Sequence, residues 1–318
     1  MKDRGGATIA QGLAAPPTGI SIEPVDYHGW ADCFRVSNGL VEAVIVPAIG
    51  RVMQFGLIGA AAVVFWENRT LDGQVHSDAS HEWMNFGGDK CWPAPQSDWP
   101  GRQGRVWPPP QGFDAQAMEC AARENGVTLT SQVDTSYGIR VVRTIELPPG
   151  HPSMRIRNEY HKVCGDAVQV AVWTITQMEE PERMGMLTAR DPSFAGGLKR
   201  LLPGEPAGLM VDAGCACFGR STREFVKVGS EGGKLAWVGR DCVTRIEVKA
   251  QEGAYPDGGC VTEIYTNPDP AKYVELETLG PLTSLQAGEQ VESTTVYTVK
   301  RRTTKDAEDE VRMALGVD

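Results

Sequence analysis

Glycine and proline constrain this chain more than any other residue types. Its 36 glycines and 21 prolines fall between short runs of alternating β-branched residues, where they end strands and make turns. Leu40 to Val46 stops at Pro47, Arg51 to Leu57 restarts after Gly50, and Asn38-Gly39 supplies a hairpin turn ahead of both. Further strands are expected over 126–133, 138–147, 153–163 and 167–178, separated by Ser-Tyr-Gly, Pro-Pro-Gly and Cys-Gly-Asp turns. A Gly/Pro-rich stretch around 192–214 follows, then strands over 225–228, 234–238, 243–248, 261–265, 272–278 and 291–299. Only 304–315 reads as helix, a surface one, opened by Thr303 with Asp306 three residues on and closed by Gly316. A meander of so many strands, each with one apolar face, buries itself as two packed sheets. The expected fold class is therefore all-β, an antiparallel sandwich with a short C-terminal helix. No composition break divides it, so residues 19–302 are expected as one domain. Residues 1–18 are expected as a disordered leader, and 303–318 as a helix and tail.

The chain of 318 residues is long for one domain, yet large sandwiches reach this size. Its 41% hydrophobic and 23% charged residues are the balance of a globular protein. A net charge of −10 repels phosphate backbones and anionic lipid, so neither nucleic acid nor a membrane is an expected partner. No apolar run approaches the roughly 18 residues that cross a bilayer. Lys2 and Arg4 precede a small-residue stretch faintly like a signal peptide, but Gln11 and Gly12 interrupt it. A cytoplasmic location is expected, with export left open. The eight cysteines lack framework spacing and read as buried free thiols. Cys215 and Cys217 share one side of a strand but have no second Cys or His pair nearby. The five histidines lack metal-ligand spacing, and no phosphate-cradling loop or nucleophile elbow is present, so no metal or cofactor is expected.

Four of the eight tryptophans, Trp83, Trp92, Trp99 and Trp107, crowd into one segment. Pro93, Pro95 and Pro100 remove ladder donors there, which predicts a rigid irregular loop rather than a strand. The segment sets flat aromatic faces beside Asn85, Asp89, Lys90 and Gln96. Sugars need that mixture: apolar C–H faces to stack and hydroxyls to pair. Tryptophans that plug the end of a sandwich, with Asp89 and Lys90 as a structural ion pair, fit the same residues.

On the run Tyr273 to Pro281, alternation puts Val274 and Leu276 on one face and Glu275 and Glu277 on the other, about 7 Å apart at their Cα atoms. In a cleft, repulsion and burial raise one pKa and yield a base beside an acid; in water the same pair is an ordinary strand face. Trp173, Ile175 and Gln177 share one side of another strand. Arg155, Arg157, Glu159 and His161 share one side of its predecessor. Either set fits a cleft or solvent.

These residues resemble a family. Asn38-Gly39, Val46 to Arg51, Phe65-Trp66-Glu67-Asn68 and above all Gly87-Gly88-Asp89-Lys90 to Trp92-Pro93-Ala94-Pro95-Gln96 are similar to an uncharacterised bacterial family within the galactose mutarotase-like superfamily. The likeness spans most of 20–300. It implies an antiparallel supersandwich whose concave sheet binds a sugar, as in aldose 1-epimerases. In that chemistry a carboxylate takes the anomeric hydroxyl proton and a histidine protonates the ring oxygen. Leu276-Glu277-Thr278, followed by Leu285 to Glu289, is similar to the segment carrying the base, and Glu277 matches it. The histidine pattern falls near Val172-Trp173-Thr174, which holds no histidine. The resemblance thus implies a carbohydrate-active isomerase or epimerase with Glu277 as base and Glu275, Lys90 or His81 as acid. Trp83, Trp92, Trp99, Trp107 and Trp173 would form the cleft, with Asn85, Asp89, Gln96 and Gln177 hydrogen-bonding the sugar. A non-catalytic carbohydrate-binding protein, or a lyase on an acidic sugar neutralised by Lys90 or an arginine, stands as the alternative.

Overall fold

In the computed structural model, residues 19–60, 64–76, 82–212 and 214–317 are described; the expected leader and His81 lie outside the described residues. The strands form two antiparallel sheets, of eleven and ten strands among the described residues. The first runs Ser21–Tyr27, Trp30–Ser37, Val41–Val46, Arg51–Leu57, Asp89–Ala94, Val168–Glu179, Tyr273–Leu279, Thr262–Thr266, Val226–Ser230, Lys199–Arg200, with Thr283–Leu285 also pairing on Val168–Glu179. The second runs Ala207–Asp212, Cys215–Gly219, Arg183–Leu187, Lys234–Val238, Cys242–Val248, Gln290–Arg301, Ser153–Lys162, Ile139–Glu146, Gly126–Asp134, Glu119–Arg123. The expected all-β sandwich is thus present.

Alternation builds the interior. Ile139, Val141 and Ile145 are buried while Arg140 is exposed, and Phe55, Phe65 and Tyr297 meet from both sheets with ring centroids 6.1–6.4 Å apart. Each such side chain removed from water contributes about 1.5–3 kcal/mol. Between the sheets sits one buried ion pair, Arg143 with Asp89. The Asp89 carboxylate also accepts from Tyr297 Oη at 2.6 Å and Thr176 Oγ1 at 2.8 Å, and Arg143 donates to Asn158 Oδ1 at 2.9 Å. The cluster ties two strands of the first sheet to three of the second.

The tryptophan-rich segment departs from expectation. Asp89–Ala94 is a fully buried strand that pairs along Val168–Glu179 from Thr176↔Asp89 to Ala171↔Ala94. Its other neighbour, Arg51–Leu57, pairs with it only at Val52↔Asp89. Pro93 therefore stands where no second ladder needs its missing N–H, which is how a proline enters the middle of a sheet. Gly87 and Gly88 deliver the chain into that strand with φ of +94° and +69°. A Cβ on Gly87 would lie 2.1 Å from the Trp66 carbonyl oxygen, so no other residue fits this turn.

The hairpin Ser21–Tyr27 and Trp30–Ser37 escaped the sequence reading, because Pro24 and scattered charges mask its alternation; as an edge strand it tolerates the proline. Ala207–Asp212 likewise lies inside the stretch read as Gly/Pro-rich connection. The C-terminal helix is Ala307–Leu315, capped by the Asp306 side chain rather than by Thr303, and ended by Gly316 at φ 75°. It does more than lie on the surface: Val311, Ala314 and Leu315 pack on Cys215, Cys217, Ala236 and Val243. Gly185 leaves the room for this, since a Cβ there would come 2.5 Å from Val311 Cγ1. Cys215 and Cys217 are thus core thiols, and burial pushes Cys217 up to about 12. Among the described residues no helix is long and apolar enough to cross a membrane.

Candidate functional site

Because side chains alternate, every second residue of five adjacent strands points away from the second sheet. Asp89–Ala94 presents Lys90 and Trp92; Val168–Glu179 presents Trp173, Ile175 and Gln177; Tyr273–Leu279 presents Tyr273, Glu275 and Glu277. Thr262–Thr266 adds Glu263 and Tyr265, and Val226–Ser230 adds Lys227. Pairing places Ile175, Glu277 and Glu263 in one rung and Gln177, Glu275, Tyr265 and Lys227 in the next. Over these rungs opens a cavity of about 570 Å³, whose lining includes Trp92, Trp173, Lys227, Tyr265, Glu275 and Glu277. Its size is that of a small-molecule site.

Trp83, Trp92, Trp107 and Trp173 form one wall of edge-to-face contacts, with Trp92 within 5.6–6.2 Å of Trp83, Trp107 and Trp173. Asp114 fixes its angle. That carboxylate accepts from Trp83 Nε1 at 3.1 Å and Trp92 Nε1 at 3.0 Å, and pairs with Arg51 at 2.5 Å. Gln96 is an exposed member of the lining. The other expected contacts stand elsewhere. Asp89 points into the inter-sheet core, held there by Arg143. Asn85 lies beside Tyr273 and lines a separate hollow with Met84. Gln177 and Lys90 are buried one layer back, where Gln177 Nε2 donates to Glu275 Oε1 at 2.8 Å and Lys90 Nζ lies 3.5 Å from that oxygen.

Trp99 is fully buried and donates to the Pro93 carbonyl at 2.9 Å, which makes it the plug behind the wall. Replacing Trp99 by Phe is expected to cost about 1–2 kcal/mol of stability, from one orphaned carbonyl and lost packing. Urea midpoints should shift while ligand affinity stays within twofold; an affinity loss without a stability loss would place the ring at the ligand instead.

The floor is charged. Lys227 Nζ lies 2.6 Å from Glu263 Oε2 and 2.9 Å from Glu277 Oε2, and 4.5 Å from the centre of the Trp173 ring. Trp173 Nε1 donates to the same Glu277 oxygen at 2.6 Å. Burial opposes the Lys227 charge, but its two carboxylates outweigh that and hold its pKa above the ordinary lysine value. Burial pushes Glu277 up; Lys227 opposes this and Glu275 reinforces it. Burial raises Glu263 well above the carboxylate range, again against Lys227. For Lys90 burial lowers the pKa, with Glu275 resisting.

A carboxyl whose folded pKa is raised contributes its stability below the unfolded value of about 4.3, and loses it as pH climbs through the folded pKa. Glutamine at 263 stays neutral and loses nothing. Glu263→Gln should therefore gain stability relative to the unmodified protein as pH rises above about 4.3. Urea midpoints of the two proteins that run parallel with pH above about 4.3 would contradict a raised Glu263.

Lys227, Glu263 and Tyr265 were not singled out from sequence. The signal was present in the strands expected over 225–228 and 261–265, where polar or aromatic residues alternate with Val226, Val228, Thr262 and Ile264.

No protein-family model and no curated protein matches this sequence. Solved structures do. A galactose mutarotase related enzyme from Lactobacillus acidophilus superposes with a TM-score of 0.58 at 8% identity, covering 86% of this chain and 99% of that one. A galactose mutarotase-like protein from Clostridium acetobutylicum gives 0.57 at 9%, covering 90% and 100%. Another from Lactobacillus casei gives 0.55 at 10%, covering 84% and 100%. The fold is galactose mutarotase-like. At such identities the likeness is one of fold, and residue roles must come from the cavity itself. In this mutarotase-like sandwich the cavity lies on the outer face of the first sheet, and Arg155, Arg157 and His161 lie on the second, away from it.

Proposed function

We propose that the cavity binds a sugar and that the protein is a carbohydrate-active isomerase or epimerase of mutarotase type. The observation that carries this is Glu277. Its Oε2 is fixed by Trp173 and Lys227, while its buried Oε1 has no hydrogen-bond partner among the described residues. A buried acceptor without a partner calls for a donor, and an anomeric hydroxyl is one. Aromatic walls supply the stacking faces that a pyranose needs.

In this reading Glu277 accepts the proton of the anomeric hydroxyl. The ring C–O bond then breaks as the carbonyl forms, and the ring oxygen receives a proton that the Lys90 ammonium supplies through the Glu275 carboxylate beside it. Burial makes the Lys90 ammonium a readier donor than an ordinary lysine. Closure on the opposite carbonyl face returns both protons and inverts the anomer. This donor stands in for the histidine missing near Trp173. A neutral sugar suits the floor better than an acidic one, because the Lys227 charge is already engaged by two glutamates.

Anomer exchange followed by NMR, with neutral, phosphorylated and uronic sugars, tests the reading. Accelerated exchange of a neutral sugar is the expected result. Binding without exchange would leave a carbohydrate-binding protein, and unsaturated products from a uronic sugar would point to a lyase.

A further inference from the structure

Resting on that reading, we propose that the ligand is the reducing end of a glycan of at least two rings. The terminal ring lies on the Glu275 and Glu277 floor, and the next ring lies against Trp107 and Phe225.

Volume is the first argument. At a water's share of about 30 Å³ for each non-hydrogen atom, a hexose with twelve of them fills at most about 360 Å³. The cavity offers about 570 Å³. One ring leaves about 210 Å³ or more of it empty, and a second ring occupies that part and extends out of the open mouth.

Segregation of the lining is the second. Glu275, Glu277, Lys227 and the indole N–H of Trp173 cluster on the strand floor, whereas the exposed aromatic lining is Trp107, 42% exposed, and Phe225, 56% exposed, with Gln96 and Asp257 as exposed polar members of the lining. Half-buried Leu201 and Leu202 complete that apolar part. Large rings held in water are costly unless something covers them, and here they border a cavity rather than a flat patch. Phe225 is also fixed: its ring stacks on Tyr265 at 6.3 Å and 22°, and Tyr265 is held in turn by its hydroxyl on Asn267 at 2.9 Å. Trp107 is braced at 5.0 Å by Trp83 from the tryptophan wall. Two braced aromatic planes on different walls present stacking faces to a sugar ring outside the floor. Chemistry at the anomeric carbon requires a free reducing end on the floor, so the rest of the glycan must extend toward these exposed rings.

The test compares dissociation constants for glucose and galactose with those for the reducing disaccharides maltose, cellobiose and lactose, by calorimetry. At least one disaccharide should bind about tenfold tighter than the hexose at its reducing end. The ratio of the two constants is the readout, and Phe225→Ala and Trp107→Ala should each collapse it toward one; unchanged melting temperatures verify folding. Equal affinities, or a disaccharide preference that survives both substitutions, would overturn the inference. Hexose binding and exchange without a disaccharide gain overturns it alone, whereas binding of none of these sugars overturns the sugar reading as well.

Discussion

Glu277→Gln is expected to lower the rate of anomer exchange by roughly 10²-fold or more while leaving most of the sugar affinity in place. Glutamine keeps the shape of the side chain and still meets the Trp173 indole and the Lys227 ammonium through its amide oxygen. What it removes is the basic oxygen that receives the hydroxyl proton. Because burial raises the Glu277 pKa, the unmodified protein should show a rate that climbs with pH as this carboxyl ionises. That limb should vanish in the glutamine variant. Glu275→Gln is the complementary variant: it keeps the base but removes the carboxylate that passes the proton to the ring oxygen, so exchange should also fall, while the limb set by Glu277 should stay in place. Unchanged exchange by Glu277→Gln, on a sugar the unmodified protein converts, would remove Glu277 from the chemistry.

The strand pattern was legible because period-2 alternation and Gly/Pro punctuation are local. The same alternation placed Glu275 with Glu277 and Trp173 with Gln177 on shared faces, and pairing of those strands in register brought the two sets together. Local patterns did not reveal which neighbours the strands would have. Lys227, Glu263 and Glu277 lie on three strands that meet only through the pairing of Val226–Ser230 with Thr262–Thr266 and of the latter with Tyr273–Leu279. Proline misled in the opposite sense. Pro93 argued for a loop because the argument assumed two hydrogen-bonded neighbours, whereas the strand has one along most of its length. Asp89 was assigned to the ligand because it lies, with Lys90, among the polar residues of the tryptophan-rich segment. In a strand, adjacency sends consecutive side chains to opposite faces.

That opposition makes the Asp89–Ala94 strand a link between core and cavity, and it sets the largest stability effect expected in this protein. Lys90 and Trp92 lie on the cavity side of the strand, while Asp89 holds it down on the second sheet through Arg143. Arg143→Met removes the cation and leaves Asp89 buried among Tyr297 and Thr176, two hydroxyl donors that do not neutralise it. Breaking a buried pair from one side costs about 3–5 kcal/mol. Asp89→Asn should also be costly, since it leaves the guanidinium buried without its partner charge. The double variant, Asp89→Asn with Arg143→Met, removes both charges and should recover a substantial part of the loss, because the pair's own net worth is small once its desolvation is counted. Urea unfolding with unchanged slope measures all three. If the two single losses simply add in the double variant, the residues are not coupled, and the strand is held against the second sheet by apolar packing alone.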